Sequence, residues 1–214
     1  MSQPLDDSEM NTPVIAAQSA TPSLSPLPSP DEPASIKILV QDLLETLLLA
    51  AIVFVLINTL TGRYQVLSVS MQPTLHEGQY LLVSKASYWF HTPERGDIVV
   101  VKPLNGDKNS IPLIKRLIGL PGDTIEARDG RIWINGIAIN ETYVSGPLGY
   151  TNRWTLATNE YFLLGDNRNN SSDSHAWGPV PKENIIGKAV FRYWPLELFG
   201  TFPHYAFAEL EANP

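Results

Sequence analysis

The segment IPLIKRLIGLPGDTIEARDGRIWIN, residues 111–135, indicates the fold class of this chain. Its first ten residues are rich in large apolar and β-branched side chains, which predicts a strand over 111–120. The runs TIEAR and RIWIN flank Asp129-Gly130, and an Asp-Gly pair accepts the positive φ angles of a type I′ hairpin turn. We therefore predict antiparallel β-structure here.

The same strand signals recur on both sides of this segment. Further strands, each rich in β-branched or aromatic residues, are predicted at 79–87, 97–103, 161–165 and 185–194. Asn135-Gly136 repeats the turn signal, and helical periodicity is missing from this part of the chain. The expected fold class is mainly β, with one antiparallel sheet domain over residues 63–200.

Composition limits the function classes. A chain of 214 residues suits one domain with accessory segments. Its net charge of −7 argues against general nucleic-acid binding, and the absence of cysteine removes disulfides, thiol nucleophiles and thiolate metal sites. The four histidines are scattered without metal-binding spacing, so we expect neither a metal nor another cofactor.

The two ends of the chain are predicted to be tails. Residues 1–36 contain seven prolines, seven serines, five acids and no base. Such a segment buries too little apolar surface to offset its chain entropy, so we predict a disordered N-terminal tail. Residues 201–214 are predicted to be a C-terminal tail.

Residues 37–62 are predicted to form a single transmembrane helix. The 17 residues of 46–62 carry no charge, and a membrane-spanning helix needs about 17–25 residues. Lys37 and Arg63 can lie in the headgroup layers, and their balance leaves the orientation open. A buried or amphipathic helix is one alternative. A cleaved signal peptide is the other, but no small-x-small cleavage site follows the apolar run.

The segment SVSMQPTL, residues 68–75, is a candidate nucleophile site. Two serines spaced i, i+2 in an extended segment project to the same side, so Ser70 could attack while the Ser68 hydroxyl points at the same locus. Pro73 ends strand pairing and leaves N–H groups near Ser70 free to donate to an oxyanion. The alternative is an ordinary pair of surface serines on a strand.

Lys115 is a candidate general base. Strand alternation places it in one row with Leu113 and Leu117, and places Arg116 in the opposite row. A buried lysine can lose its proton because desolvation disfavours the ammonium, whereas arginine stays charged. The alternative is that both cations extend to solvent at the strand edges.

The loop GDNRNNSSDSHAWG, residues 165–178, has more hydrogen-bonding groups than a hairpin turn requires. A calcium loop is excluded because Arg168 and Ser171 occupy positions where an EF-hand needs Asp or Asn and Gly. A serine triad that uses Asp173 and His175 is disfavoured, since an acid and a histidine two residues apart in one loop rarely meet in triad geometry.

Together these segments resemble bacterial type I signal peptidases, also called leader peptidases. The resemblance covers roughly residues 40–195 behind the anchor, and its motifs are SVSMQPTL (68–75), RGDIVVV (95–101), KRLIGLPGD (115–123) and GDNRNNSSDSHAWGPVP (165–181). It implies a membrane-anchored serine endopeptidase that cleaves signal peptides from exported preproteins after a small-x-small (Ala-x-Ala) motif, through an acyl-enzyme.

The resemblance also implies a role for each matching residue. It makes Ser70 the nucleophile and Lys115 the general base of a Ser/Lys dyad. The Ser68 side chain and the Ser70 backbone N–H form the oxyanion hole. Ser171 orients the lysine, and Asp173 supports the site from behind.

The substrate is expected to lie as an added strand, with Val66, Leu67 and Ile114 lining shallow S1 and S3 pockets. Two positions depart from the best-known family pattern, which has an acid at Asn169 and an arginine at His175. The structural ion pair of that pattern is therefore in question. We expect His175 to support the site rather than to act in catalysis.

The implied partners are preproteins and the lipid bilayer, not nucleic acid, and a monomer near the export translocon is expected. The resemblance places the catalytic domain on the periplasmic, extracytoplasmic or thylakoid-lumen side and the tail in the cytosol. SOS-repressor autoproteases share the dyad, but they carry a basic DNA-binding domain. A non-enzymatic tethered β domain is disfavoured by the presence of Ser70 and Lys115 in their motifs.

Overall fold

The computed structural model describes residues 36–104, 110–203, 205 and 207–211, so the predicted tail over 1–36 lies almost wholly outside the described residues. The helices are α1 (Ile36–Leu60), α2 (Ser87–Phe90), α3 (Ser174–Trp177) and α4 (Ala208–Glu211), with 3₁₀ turns at Val69–Met71, Arg168–Asn170, Lys182–Asn184 and Leu196–Leu198. The strands are β1 (Thr61–Gln65), β2 (Tyr80–Ser84), β3 (Ile98–Val101), β4 (Leu113–Gly119), β5 (Thr124–Arg128), β6 (Arg131–Ile134), β7 (Ile137–Ala138), β8 (Asn152–Thr155), β9 (Glu160–Leu164), β10 (Val180–Pro181) and β11 (Ile185–Trp194).

Helix α1 is long and apolar enough to cross a membrane. Its 25 residues have a mean hydropathy of 2.3 in the most apolar window, and none of them is buried. A helix of this length spans about 37 Å, which exceeds the hydrocarbon core of about 30 Å. The alternative of a buried core helix is therefore wrong for this segment.

The end of the predicted transmembrane segment 37–62 is corrected by the structure. The helix ends at Leu60, and Thr61 and Gly62 begin β1, where they pair with Ser84 and Val83 of β2. Hydrogen bonding to β2 offers these two residues a better arrangement than continuation of the helix.

The strands form two antiparallel sheets, which confirms the predicted fold class. The larger sheet has seven strands in the order β1-β2-β11-β3-β4-β9-β10, and the smaller has four in the order β7-β6-β5-β8. The β5–β6 hairpin turns as expected, with φ angles of 53° at Asp129 and 73° at Gly130. Strands β1, β8 and β10 were not predicted, because each is short and lacks an apolar alternation.

Strand β4 carries the two cations of the sequence motif. It lies between β3 and β9, with Lys115 opposite Val99 and Arg116 opposite Ile98. Leu113 and Leu117 join one hydrophobic cluster, whereas Ile114 and Ile118 pack in two others, so successive residues face different surroundings. The predicted alternation of β4 is confirmed.

The predicted C-terminal tail over 201–214 is partly packed on the domain. Phe207 is only 5% exposed and belongs to the cluster that contains Ile118, Phe162 and Leu164. Burying this aromatic ring stabilises the attachment by a few kcal/mol, on the order of 2. The apolar residues of this segment, among them Phe202, Phe207 and Leu210, follow neither a strand nor a helix period, so the contact could not be predicted from the sequence.

Candidate active site

Ser70 lies in the 3₁₀ turn Val69–Met71, and not in the extended segment that we predicted. Ser68, directly before the turn, is extended with φ −146° and ψ 163°. The turn still brings the two hydroxyls together, because Ser68 Oγ lies 3.1 Å from Ser70 Oγ. The predicted closeness of the two serines is correct, but strand alternation is not its cause.

The turn that carries Ser70 is hydrogen-bonded to the loop after β9. The backbone N–H of Asn167 donates to the Ser70 carbonyl at 3.0 Å, and Asn167 Nδ2 donates to the Val69 carbonyl at 3.2 Å. A Cβ at Gly165 would lie 2.4 Å from the Ser70 carbonyl oxygen and 2.3 Å from Ser171 Oγ, so only glycine fits there. The loop thereby fixes the place of the nucleophile candidate.

Lys115 reaches Ser70 from β4. Its Nζ lies 2.7 Å from Ser70 Oγ, and the two residues are 3% and 6% exposed. Arg116 is fully buried as well. The alternative in which both cations extend to solvent is therefore wrong.

Burial lowers the pKa of Lys115 to about 8, because desolvation disfavours the ammonium. The carboxylates of Asp173 and Asp166 act in the opposite direction and raise this pKa. A lysine with such a pKa is neutral in about a tenth of the molecules at pH 7. Its amine, at hydrogen-bonding distance from the Ser70 hydroxyl, can accept the hydroxyl proton and so generate a nucleophile.

Ser171 lies close to this pair without bonding to it. Its Oγ is buried and forms no hydrogen bond with the described residues. Gly165 is its near neighbour, at the point where the loop meets the Ser70 turn. The lysine-orienting role of Ser171 stays a prediction.

Asp173 caps helix α3 and supports the loop. One carboxylate oxygen accepts the Gly165 N–H at 2.8 Å, and the other lies 2.7 Å from Nδ1 of His175. The capping turn folds His175 back onto Asp173, so the acid and the histidine pair, but they do not form the triad that was disfavoured from the sequence. No serine triad results, since the Ser70 hydroxyl is bonded to Lys115.

Behind the site, Arg116 and Asp166 form an ion pair whose side chains are both 0% exposed. Two parallel hydrogen bonds, of 2.8 and 2.7 Å, join the guanidinium to the carboxylate. Arg116 also donates to the Gly96 carbonyl at 2.9 Å, lies over the Tyr143 ring, and shares Asp166 with the Thr74 hydroxyl. Sequence reasoning missed Asp166, which stands 50 residues from its partner and is flanked only by loop residues.

A second buried ion pair holds the loop from its other side. Arg168 is 2% exposed and binds both carboxylate oxygens of Glu141, and its Nε donates to the Gly165 carbonyl at 3.2 Å. The Tyr143 hydroxyl donates to the same carboxylate at 2.6 Å. An arginine among small polar loop residues was the available signal, but its partner Glu141 could not be located from the sequence.

The residues predicted to line the substrate pockets differ in exposure. Val66 is 2% exposed, Leu67 is 54% exposed and Ile114 is partly buried against the same hydrophobic cluster as Val66. Their contact with substrate stays a prediction.

Strand β4 has an unpaired edge next to these residues. Its residues Leu113–Lys115 pair with β3, whereas pairing with β9 begins only at Arg116. Among the described strands, the other edge of these three residues is therefore open.

The chemistry available to Ser70 and Lys115 is that of a serine peptidase. The family model of signal peptidases, peptidase S26, matches residues 39–194. Signal peptidase I from Leptolyngbya laminosa is 46% identical over 141 residues, which cover 62% of this chain and 68% of that protein. Probable signal peptidase I-2 from Synechocystis sp. is 39% identical over 176 residues, 79% and 81% of the two chains.

Thylakoidal processing peptidase 1 from Arabidopsis thaliana is 44% identical over 137 residues, 60% of this chain and 40% of that protein. A crystal structure of a signal peptidase I from Enterococcus faecalis covers 47% of this chain, with 32% identity and a TM-score of 0.38. The chain belongs to the signal peptidase family, peptidase S26. The family match includes most of α1 together with the β domain. An SOS-repressor autoprotease would have a DNA-binding domain in place of this apolar helix.

Proposed function

We propose that this chain is a membrane-anchored peptidase that removes N-terminal signal peptides from exported preproteins by cutting after an Ala-x-Ala motif. The observation that carries the proposal is the 2.7 Å distance between Lys115 Nζ and Ser70 Oγ in a buried site. The relatives support the substrate class, since they are named signal peptidases and a thylakoidal processing peptidase.

In the acylation step, the neutral amine of Lys115 takes the proton of the Ser70 hydroxyl, and Oγ attacks the scissile carbonyl carbon. The tetrahedral intermediate collapses, and the leaving amine of the mature protein takes the proton from the Lys115 ammonium. In deacylation, Lys115 takes a proton from water, the resulting hydroxide attacks the ester, and the proton returns to Ser70 Oγ. The signal peptide leaves with a new carboxylate.

Two donors stabilise the oxyanion in this mechanism: the Ser68 hydroxyl and the Ser70 backbone N–H. Ser68 Oγ lies 3.1 Å from the attacking oxygen, which suits a group that points at the same carbonyl. Ser70 is the second residue of its 3₁₀ turn, where N–H groups have no partner within the helix.

Ser171 orients the Lys115 amine in this proposal, and Asp173 holds the loop behind it. Ser171 Oγ is buried with no hydrogen-bond partner among the described residues, so its hydroxyl is free to accept from the Lys115 ammonium. Asp173 fixes the loop through the Gly165 N–H.

The substrate binds as an added strand along the open edge of Leu113–Lys115. Backbone hydrogen bonds to such an edge supply affinity, and pockets for alternate side chains supply specificity. Leu67 and Ile114, with Val66 beneath them, line shallow S1 and S3 pockets that accept small side chains. The open edge and the exposure of Leu67 support this placement.

Helix α1 anchors the peptidase in this proposal, and the chain acts as a monomer close to the export translocon. The catalytic domain lies on the extracytoplasmic or thylakoid-lumen side, and the Pro/Ser-rich tail lies in the cytosol. The length and hydropathy of α1 support the anchor.

Cleavage of a purified preprotein by the detergent-solubilised full chain tests the proposed function. We expect one cut, after Ala-x-Ala, with the new N-terminus identified by sequencing of the product. A preprotein whose Ala before the scissile bond is changed to Phe is the control, because shallow pockets reject a large side chain. An uncut Ala-x-Ala preprotein in the presence of folded enzyme, or cleavage elsewhere, contradicts the proposal.

The pH dependence of cleavage should follow the titration of Lys115. A general base works in its deprotonated form, so kcat/KM rises with pH through the pKa of Lys115 and levels off above it. Because burial places this pKa at about 8, the acid limb should lie near that pH. Initial rates between pH 5 and 10 measure it, and a limb that vanishes in His175→Gln would indicate a histidine base instead.

Loss of the Ser68 hydroxyl should slow the chemical step. Ser68→Ala should lower kcat about 10²–10³-fold with little change in KM, which is the cost of one oxyanion donor. Ser68→Thr is the control because it keeps a hydroxyl at this position. Steady-state kinetics distinguish the two roles: a raised KM with unchanged kcat means that Ser68 binds substrate and does not stabilise the oxyanion.

A further inference from the structure

The two positions that depart from the best-known family pattern, Asn169 and His175, both contact the segment Pro147–Tyr150. Asn169 Oδ1 accepts the Gly149 N–H at 2.7 Å, and its Nδ2 donates to the Pro147 carbonyl at 2.9 Å. An aspartate could make only the first of these bonds and would repel the carbonyl. The side-chain amide of Asn169 therefore holds the segment 147–150 against the loop 165–178.

At the end of this segment, Tyr150 packs on His175. The two rings are stacked, with centroids 4.4 Å apart and planes inclined by 16°. The stack leaves Nδ1 of His175 facing Asp173 at 2.7 Å, where the imidazole is 25% exposed and the carboxylate 1% exposed. The Tyr150 ring thus covers one face of the His175 imidazole, whose Nδ1 faces the buried carboxylate of Asp173.

Of the two kinds of ring in this stack, an imidazole is the one that can carry a positive charge. Burial raises the pKa of Tyr150, and the negative charge of Asp173 raises it further. The phenol therefore stays neutral over the working pH range. The other charged groups near Tyr150 are Arg168 and Glu141, which are paired with each other. The Asp173 carboxylate faces Nδ1 of His175 at 2.7 Å, and a positive charge on the imidazole would neutralise this carboxylate locally.

Asp173 links this stack to the general base. Its carboxylate bonds to the N–H of Gly165, which touches the Ser70 turn, and its negative charge favours the ammonium form of Lys115. Any cation that pairs with Asp173 weakens this effect and so increases the neutral, active form of the lysine.

We propose that Tyr150 and His175 are positioning residues that act on Lys115 through Asp173. The Tyr150 ring holds His175 against Asp173, and protonation of His175 reduces the negative charge that Asp173 presents to the general base. Activity then declines less steeply as the pH falls, because protons that inactivate Lys115 are opposed by protons bound at His175. The inference rests on the proposed function, since it needs Lys115 as the base.

The test compares the acid limb of kcat/KM in the full detergent-solubilised chain and in His175→Arg and His175→Gln, with an Ala-x-Ala preprotein as substrate. His175→Arg pairs Asp173 with a permanent cation, and His175→Gln gives it a neutral partner. We expect the limb of His175→Arg to lie about 0.5 pH unit below that of His175→Gln, roughly a threefold difference in rate on the limb. The unchanged protein should follow His175→Gln at alkaline pH and approach His175→Arg at acid pH.

Tyr150→Leu and Tyr150→Phe test the stack. Tyr150→Leu removes the aromatic face, and its acid limb of kcat/KM should coincide with that of His175→Gln. Tyr150→Phe keeps the ring, and its acid limb should be as shallow as that of the unchanged protein. The midpoint and slope of a limb do not depend on the fraction of folded enzyme, so partial misfolding does not mimic these shifts.

Coincident limbs in all His175 variants, differing only in height, would overturn the inference and leave a purely structural role. An acid limb of His175→Arg that lies at higher pH than that of His175→Gln would also overturn the inference. Lys115→Ala is assayed in the same experiment to separate the proposed role of Lys115 as the general base from the proposed role of His175. Retained cleavage in that variant would overturn the proposed mechanism itself, whereas lost cleavage with coincident limbs overturns only the part played by His175.

Discussion

Ser70→Ala and Lys115→Ala should each reduce kcat for preprotein cleavage by at least about 10⁴-fold, and the double variant should be no slower than either single one. The reason is that Ser70 Oγ and Lys115 Nζ, 2.7 Å apart, act as one unit: without the amine the hydroxyl keeps its proton, and without the hydroxyl the amine has nothing to activate. Single-turnover cleavage of a preprotein measures the loss.

Two further lysine variants sharpen this experiment. Lys115→Arg should be as inactive as Lys115→Ala, because a guanidinium cannot give up its proton. Lys102→Met is the matched control, since Lys102 is exposed and should keep full activity. Substantial cleavage by Lys115→Arg or Lys115→Ala would remove Lys115 from the mechanism.

The second large effect concerns stability. Asp166→Asn leaves the Arg116 guanidinium buried without its counter-charge, at a site where both side chains are 0% exposed. Breaking a buried pair in this way costs about 3–5 kcal/mol, a large part of the roughly 5–15 kcal/mol by which domains are stable. Thermal unfolding of the full chain in detergent should show a fall in Tm of well over 5 °C, on the scale set by about 2–4 °C per kcal/mol for chains of this size.

The double variant Arg116→Met with Asp166→Leu separates charge from packing. Because it removes both ions, it should recover much of the Tm that Asp166→Asn loses. Glu126→Gln is the surface control: Glu126 pairs with Arg128 at 3.4 Å in a partly exposed position, and such pairs contribute about 0–1 kcal/mol. An Asp166→Asn protein that unfolds at the original temperature would show that Arg116 is stabilised by other groups.

Local sequence signals predicted the parts of this fold that short-range chemistry decides. The hairpin at Asp129-Gly130 and the alternation of β4 follow from turn conformation and strand geometry, which act over a few residues. The burial of Lys115 was predicted as one of two alternatives because an apolar row surrounded it. These features need no knowledge of distant parts of the chain.

The partners of the buried charges depend on tertiary structure instead. Asp166 and Glu141 are unremarkable in the sequence, and they find Arg116 and Arg168 only when β9 and its following loop pack against the rest of the domain. The same holds for the 3₁₀ turn at Ser70, which is fixed by hydrogen bonds from a loop almost a hundred residues away. Strand signals alone therefore predicted that the Ser68 and Ser70 hydroxyls lie together, but they predicted the wrong backbone conformation.

The open edge of β4 bears on how many substrate positions can be distinguished. Among the described strands, Leu113–Lys115 lacks a partner at that edge, which leaves room for a very short ladder. Side chains of an added strand point alternately toward and away from the protein, so a ladder of this length offers contacts to two substrate residues separated by one that faces solvent. In the proposed binding mode, such a ladder reads a motif in which the middle residue is free to vary.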